Sequence, residues 1–547
     1  MISRWRTALA WLATSLAGLL VLFALVMPNR ISHLTPAALI LVPIEGLIAA
    51  ALLLALPDRA RRVVAIVIGV ALALLVLLKL LDMGFYEVLD RAFDPVQDWP
   101  LLADFVRFLG RSMGQPGTTA AVVGAVLAAA ALPVLMGWSV LRLSRLGVRH
   151  RTASAATVGA LTVVWILLAV LGVQVVPGTP VATHDSASLA YDRARWVGTE
   201  LRDHEVFAEE LAVDAFRDTP GDQLLTSLRG KDVVVAFVES YGRVAVADPE
   251  LAPQVTALLD AGNRRLRARG FTARSAFLTS STAGGGSWLA HGTLLSGLWV
   301  DNERRHDALV ASDRFTLNGA FHRAGWRVVG VMPAINQPWP EGSFYGYDQL
   351  YTMQNLGYRG PLFTFSSIPD QYTMAAFHRA ECTPHHAPFM AEVVLLSSHG
   401  PWTPVPRQID WNKVGDGSAY KGMPDTGGSP DVRDRAQVRI AYRNAIEYSL
   451  ETLISYVETY GDDNLVLVFL GDHQPAPIVT GEGASRDVPI TLVARDPAVL
   501  DRITGWGWQE GLRPGPQAPV WRMDTFRDRF LTTFGPAADP PASPAGR

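Results

Sequence analysis

Cysteine is almost absent: Cys382 is the single example in 547 residues. One thiol excludes an intramolecular disulfide framework and any zinc site built from several thiolates. Charge is also scarce. Lys, Arg, Asp and Glu make up 18% of the chain, where soluble domains carry about 25%. Neither sign is in surplus, because the formal net charge is −3. The basic footprint of a nucleic-acid binder is therefore missing, and no nucleic-acid partner is expected. There is no internal repeat at solenoid periods. Glycine (47) and proline (36) are ordinary in number, which excludes a collagen-like or globally disordered chain. What is abundant is apolar: 49% of residues are hydrophobic and the mean hydropathy is +0.19. A purely soluble protein does not fit those numbers, and the length allows several domains.

The apolar excess lies at the N-terminal end. Five stretches, near 9–27, 38–56, 63–81, 119–140 and 157–176, approach the roughly 20 apolar residues that span a bilayer. The first does not read as a cleaved signal peptide. The sequence after Met27 offers no small-x-small cleavage site, and four further stretches follow. Arg4 and Arg6, then Arg59, Arg61 and Arg62, then Arg142, Arg145, Arg149 and Arg151 fall on one side, which the positive-inside rule makes cytoplasmic. The loop over 82–117 falls on the other side. Five spans place everything after Val176 outside the cytoplasm. No charge is read in the middle of a span, so the membrane region, residues 1–176, is expected to act as an anchor.

Residues 177–231 are polar and helix-patterned, a juxtamembrane linker. From Asp232 the texture changes. Short β-branched runs (VVVAFVE, WRVVGVMP, EVVLLSSH, LVLVFLGDH, VPITLVA) alternate with helical segments, the longest over 433–460. That pattern predicts an α/β domain over 232–534, a mostly parallel sheet with helices on both faces. The tail over 535–547 is rich in Pro and Ala and reads as disordered.

Ligands of open α/β sheets bind beyond the carboxyl ends of the strands. Three predicted strands end in residues of metal-ligand type: the first in Glu239, the third in His399, the fourth in Asp472 and His473. Two carboxylates and an imidazole suit a divalent ion such as Zn²⁺ or Mn²⁺ better than Ca²⁺, which prefers oxygen ligands alone. A nucleophile is expected in TSSTAGGGSWLAHGTLLSGL, residues 279–298. Gly284, Gly285 and Gly286 precede Ser287, which opens an apolar helical run. A hydroxyl there meets the free N–H groups and positive dipole end of a helix, which favour an alkoxide and an approaching phosphate. Ser281 and Thr282 compete for the role if the turn is placed differently.

These segments resemble the alkaline phosphatase/sulfatase superfamily. The apolar spans ahead of them make the chain most similar to the membrane-anchored lipoteichoic acid synthase and phosphoglycerol transferase branch. The resemblance covers roughly 232–494 plus the membrane layout. VVVAFVES matches the acidic first-strand ligand at Glu239, LLSSHGPWTP the substrate-side histidine at His399, and VFLGDHQ the Asp-His metal pair at Asp472 and His473. The sulfatase pattern C/S-x-P-S-R-x-x-L-x-T-G is matched from Ser287 at Leu294 and at Ser296-Gly297, a register that favours Ser287 over Thr282. Leu289 and His291 replace its Pro and Arg, so the resemblance does not extend to sulfatase chemistry. Relatives of the synthase type use threonine as nucleophile, where serine is proposed here. Their headgroup-binding Trp-x-Arg is matched at Trp339, with Glu341 in place of Arg. The second-metal histidine of two-metal relatives has no counterpart after His473.

The resemblance therefore implies one divalent ion (Mn²⁺, Zn²⁺ or Mg²⁺) held by Glu239, Ser287, Asp472 and His473. Ser287 and His399 are the catalytic residues, with Trp339, His291 and His399 on the substrate side. The implied function is transfer of a phosphoglycerol-type headgroup from a membrane phospholipid to an extracytoplasmic glycan, glycolipid or polymer. A phosphoethanolamine transferase or a phosphodiesterase of the same superfamily is the alternative. The expected location is the cell membrane, multi-pass, with the catalytic domain outside the cytoplasm.

Overall fold

The computed structural model describes residues 2–35, 41–176, 179–363, 368–402, 404–423 and 434–536. The start of the second apolar stretch (36–40), the start of the linker (177–178) and the tail over 537–547 lie outside the described residues. The chain divides into two compact units: Met1–Glu87 with Arg91–Asp203, and Val88–Asp90 with His204–Arg547.

The first unit is helical. Its helices are α1 (Ile2–Val26), α2 (Ile44–Ala55), α3 (Asp58–Leu89), α4 (Trp99–Arg149) and α5 (Arg151–Val170), followed by α6 (Asp185–Ala212). Among the described residues, four segments are long and apolar enough to cross a membrane: Ala8–Val26, Asp58–Leu89, Gly114–Arg149 and Arg151–Val170. The second expected stretch differs. It is helical over only 12 residues, which rise about 18 Å against a hydrocarbon core of about 30 Å. Pro43 explains the late start, since it fixes φ and pushes Val42 into extended backbone. Val42–Pro43 (β1) accordingly pairs in parallel with Ala182–Thr183 (β4), and between them in sequence Gln174–Val176 (β2) pairs antiparallel with Thr179–Pro180 (β3). The expected loop over 82–117 is also largely helical. α3 runs on to Leu89, and α4 starts at Trp99 and carries non-helical backbone at Gly114, beside Pro116.

Side-chain contacts order the ends of this unit. Arg142 near the end of α4 donates to Ala10 O (2.6 Å) and Thr14 Oγ1 (2.9 Å) in the first half of α1. Lys79, late in α3, donates to Ala24 O (3.1 Å) and Ser186 Oγ (3.0 Å). The start of α3 is about 32 Å from Lys79 along the helix, so its arginines lie at the same end as those of α4 and α5. Buried charge, which the sequence reading did not find, sits at the other end. Asp82 is fully buried, and Arg193 Nη2 donates to both of its carboxylate oxygens, at 2.6 and 2.7 Å.

The second unit is built on a nine-stranded mixed sheet. In chain order its strands are β5 (Asp232–Val238), β6 (Thr272–Thr279), β7 (Arg327–Met332), β8 (Gln349–Thr352), β9 (Phe389–Leu395), β10 (Leu465–Gly471), β11 (Asp487–Ala494), β12 (Gln509–Glu510) and β13 (Val520–Arg522). The spatial order is β12-β6-β11-β10-β5-β9-β7-β8, with β13 beside β6. The five strands from β10 to β8 run parallel; β11 is antiparallel to both neighbours. All five strands read from the sequence are present. β6 was not read, because TARSAFLT interleaves Arg and Ser with its apolar residues. β5 shows why the parallel strands are continuous apolar runs: Val234, Ala236 and Val238 face one core, Val233, Val235 and Phe237 the other. The helices of this unit, in chain order, include α7 (Val244–Ala247), α8 (Ala252–Ala268), α9 (Ser287–Ser296), α10 (Glu303–Val310), α11 (Leu317–Arg323), α12 (Asp370–Glu381), α13 (Arg435–Tyr460), α14 (Pro477–Thr480), α15 (Pro497–Arg502) and α16 (Phe526–Phe534). The first core is closed by α7, α8, α12 and α13; the second by α9, α11, α15 and α16. Asp434 caps α13 by accepting from the N–H groups of Ala436 and Gln437.

A buried ion cluster ties α16 to this core. Arg527 is fully buried, donates to Asp214 Oδ2 at 3.0 Å and to Phe315 O, and Arg314 Nε lies 3.2 Å from the same Asp214 oxygen. Arg527→Met leaves the Asp214 carboxylate buried beside one remaining cation. The expected loss is about 3–5 kcal/mol, read as a melting temperature lowered by roughly 4–7 °C in the detergent-solubilised protein. An unchanged melting temperature would show that Arg314 alone satisfies Asp214.

Candidate active site and metal centre

Strand register assembles the site. In the parallel pair of β5 and β10, Val238 lies opposite Gly471, so the next residues, Glu239 and Asp472, emerge side by side. The turn after β10 requires glycine: a Cβ on Gly471 would sit 1.9 Å from Tyr241 O. Ser240, next to Glu239, holds a left-handed backbone (φ 57°). That conformation costs of order 1 kcal/mol or more. It is offset because Ser240 N–H donates to Asp472 Oδ1 at 2.8 Å and its hydroxyl to Glu239 Oε1 at 2.7 Å.

Glu239, Asp472 and His473 form a buried cluster whose ligand atoms all lie within 4.8 Å of one another. His473 Nδ1 donates to Gln474 O at 2.8 Å, which leaves Nε2 as the atom presented to the cluster. Asp472 Oδ1 accepts from two backbone N–H groups, while Oδ2 is buried with no hydrogen-bond partner among the described residues and lies 3.7 Å from His473 Nε2. Two carboxylates and a bare imidazole nitrogen facing one point are what a divalent cation requires. A buried, unpaired carboxylate oxygen is costly without one. The donor set, oxygens plus one imidazole nitrogen, fits Zn²⁺, Mn²⁺ or Mg²⁺. In the protein alone, the groups answer one another's charge. Burial pushes Asp472 up to about 6, with the Glu239 charge adding to it. Burial opposes a charge on His473, yet Asp472 and Glu239 raise it to about 9. Burial likewise acts against the Glu239 charge, but His399 and His473 outweigh it and hold the carboxyl well below the usual range.

Ser287 joins this cluster. Its Oγ lies 3.1 Å from Glu239 Oε2 and 3.2 Å from His473 Nε2, at the first residue of α9. The loop before it takes its path from Gly284, Gly285 and Gly286, all at positive φ (72°, 157° and 76°). It is strapped to the exit of β10 by Gly284 N–H donating to Gln474 O at 2.8 Å. The competing hydroxyls are engaged elsewhere. Thr282 Oγ1 donates to Gly285 O at 2.6 Å, and the buried Ser281 Oγ accepts from Thr293 Oγ1 at 3.0 Å. Ser280, which the sequence reading passed over, donates to Asp472 O at 2.6 Å and supports the ligand strand from below.

The remaining expected residues fall around this centre in different ways. His399 follows β9, the other neighbour of β5, is half-buried, and is close enough to Glu239 to stabilise its charge. Trp339 lies in the loop after β7 and stacks on Tyr345, ring centroids 5.7 Å apart. It also packs against the buried Met332, Val394 and Leu396. His291 is buried one helical turn after Ser287, with its ring stacked on Phe237 at 3.8 Å and Nδ1 2.8 Å from Glu392 Oε1. Tyr347 also donates to Glu392, at 2.6 Å. A glutamate inside the apolar strand FMAEVVL was the signal for this network, since a buried carboxylate must find partners.

No protein-family model matches the chain. No curated protein matches it. Among solved structures the chain is similar to the lipooligosaccharide phosphoethanolamine transferase A (EptA) of Neisseria meningitidis, an integral membrane protein, at 13% identity and a TM-score of 0.45, over 94% of this chain and 95% of that one. It is similar to the lipoteichoic acid synthase LtaP of Listeria monocytogenes at 14% identity and a TM-score of 0.37, over 62% and 80%. It is also similar to the Streptococcus pyogenes phosphoglycerol transferase GacH, solved with sn-glycerol-1-phosphate, at 11% identity and a TM-score of 0.34, over 62% and 91%.

Proposed function

We propose that this chain is a membrane-anchored phosphotransferase. It moves a phosphoglycerol-type headgroup from a membrane phospholipid to an extracytoplasmic glycan, glycolipid or polymer through a covalent ester on Ser287. The observation that carries the reading is the position of Ser287 Oγ, 3.1 and 3.2 Å from two members of a buried carboxylate–imidazole cluster. A structural N-cap has no use for such neighbours. Glu239, Asp472, His473 and the Ser287 hydroxyl would hold the divalent ion. When bound, that ion supplies Lewis-acid activation of the hydroxyl and neutralises charge on the phosphoryl group.

The chain's own groups do the rest. Ser287 Oγ forms a bond to phosphorus as the bond from phosphorus to the diacylglycerol oxygen breaks, and the hydroxyl proton ends on that leaving oxygen. The α9 N-terminus faces the transferred phosphate with free N–H groups. The acceptor hydroxyl then attacks phosphorus, returns the serine oxygen, and its proton goes back to Ser287. His399 binds the phosphate or carries those protons. Incubation with mixed phosphatidylglycerol and phosphatidylethanolamine, followed by mass spectrometry of the trapped protein, tests the reading, because the adduct mass names the headgroup. A phosphoethanolamine adduct would favour the second reading, for which Glu341 speaks: a carboxylate two residues after Trp339 suits an ammonium headgroup. Absence of any adduct on an active protein would overturn both.

The site must meet its lipid outside the cytoplasm. The arginine-bearing ends of α1, α3, α4 and α5 are assigned to the cytoplasmic side. A phosphatase reporter fused after Asp185 should be active and one fused after Gly147 silent. The reverse pattern would overturn the localisation.

A further inference from the structure

The helical unit contains more than an anchor needs. A cavity of about 640 Å³ lies among α1 to α6, within the range of small-molecule pockets. One wall is a single face of α2: Gly46, Ala49, Ala50 and Leu53, at helical spacing of three and four residues. Small residues at such positions usually let neighbouring helices close together. Here Ala71 of α3 and Gly147 and Ala153 from α4 and α5 continue the same lining, and space stays open between them. Apolar walls of that extent gain dispersion contacts only from apolar contents.

The two ends of the cavity differ. At one end stand Glu45 and Ser186. Glu45 Oε1 accepts from Ala187 N–H at 2.8 Å, while Oε2 is buried with no partner among the described residues. Lys79 does not fill that need, because its three protons are directed to Ala24 O, Leu25 O and Ser186 Oγ. The other end, at Leu54 and Gly147, lies nine residues further along α2, about 14 Å. That end stands beside the arginine clusters, since Gly147 lies between Arg145 and Arg149 and Leu54 precedes Asp58 by four residues, so a chain lying along this face points toward the arginine-bearing side. The Glu45 end is also the end away from the arginine clusters.

We infer that this cavity is a phospholipid-binding site that takes one acyl chain along the α2 face. It reads the headgroup through Glu45, which accepts a hydrogen bond from an ammonium or hydroxyl group. The inference rests on the reading of the chain as a membrane-anchored lipid transferase and gives its membrane unit a part in holding lipid. A headgroup without such a donor, as in phosphatidylcholine, leaves Glu45 Oε2 unpaired and binds less well.

The test uses the full-length protein in nanodiscs containing phosphatidylglycerol with a mid-chain diazirine, irradiated, digested and mapped by mass spectrometry. Adducts are expected to concentrate on Ala49, Ala50, Leu53 and Leu72, well above the outward-facing Val163 and Leu167 of α5. Ala50→Trp should remove most of the cavity adducts and keep those on Val163 and Leu167. Equal density on cavity and outward-facing residues of the wild-type protein would overturn the site, whatever the fate of the variant. Diazirine phosphatidylethanolamine should label as phosphatidylglycerol does, and phosphatidylcholine less. Equal labelling by phosphatidylcholine would overturn the role of Glu45. No turnover enters the readout, so the transferase reading and this site can fail separately.

Discussion

Ser287→Ala is expected to lower turnover about a thousandfold or more and to abolish the covalent adduct, while Thr282→Ala keeps the adduct. The two hydroxyls are five residues apart and differ in what surrounds them. Ser287 Oγ faces Glu239 and His473. Thr282 Oγ1 is spent on the loop carbonyl of Gly285, so its loss loosens the glycine turn and leaves the nucleophile in place. A modest fall in rate, without loss of the ester, is the expected outcome for Thr282→Ala. Ser287→Thr separates chemistry from space. It keeps a hydroxyl and adds a methyl group at the start of a helix whose next turn is buried at Leu289 and Ala290, and partial activity is expected. Peptide mapping of the trapped protein checks all three variants. An ester found on Thr282 in the wild-type protein would refute the assignment of the nucleophile and leave the carboxylate–imidazole cluster standing.

Much of this site was legible in the sequence because parallel α/β sheets gather strand ends. Once VVVAFVE and LVLVFLGDH are read as buried strands, Glu239, Asp472 and His473 must emerge on one edge, and the observed register makes them neighbours. The serine was harder, since Ser281, Thr282 and Ser287 all border the turn, and only the folded loop shows which hydroxyl is free. Sequence register marked His291 but not what surrounds it. His291 replaces an arginine of the sulfatase pattern, yet its ring packs on Phe237 and binds Glu392, contacts between residues 54 and 101 positions apart that no local pattern encodes. The membrane unit shows a second limit. Hydropathy marks the stretch over 38–56 as a span but not its local backbone, where Val42–Pro43 is extended and the helix covers the 12 residues Ile44–Ala55. Hydropathy also passed over Glu45 and Lys79, whose partners Ala187 and Ser186 are distant in sequence and reach only one of the two Glu45 oxygens.

Asp472→Asn should strip the divalent ion from the protein and reduce activity to background, with the fold intact. The substitution is chosen for what it preserves. Asp472 Oδ1 accepts from the N–H groups of Ser240 and His473, at 2.8 and 2.7 Å, and the carbonyl oxygen of Asn can do the same. Asp472 Oδ2 has no hydrogen-bond partner among the described residues and faces the ligand cluster, 3.7 Å from His473 Nε2. Replacing it with an NH₂ group sets two donors where a cation needs a lone pair. Metal content per chain should therefore fall from about one to near zero. Activity should fall with it, because loss of a ligand removes the Lewis acid that readies the Ser287 hydroxyl. Stability runs the other way. Glu239 and Asp472 are buried side by side, and in metal-free protein their like charges oppose folding. The metal-free variant should then unfold no earlier than the metal-free wild type, although it unfolds earlier than the loaded wild type, which gains the binding energy of the ion. Elemental analysis and thermal unfolding with and without chelator check both signs. Full metal occupancy in Asp472→Asn would place the ion elsewhere, and earlier unfolding of its metal-free form would show that Oδ2 holds the fold rather than a ligand.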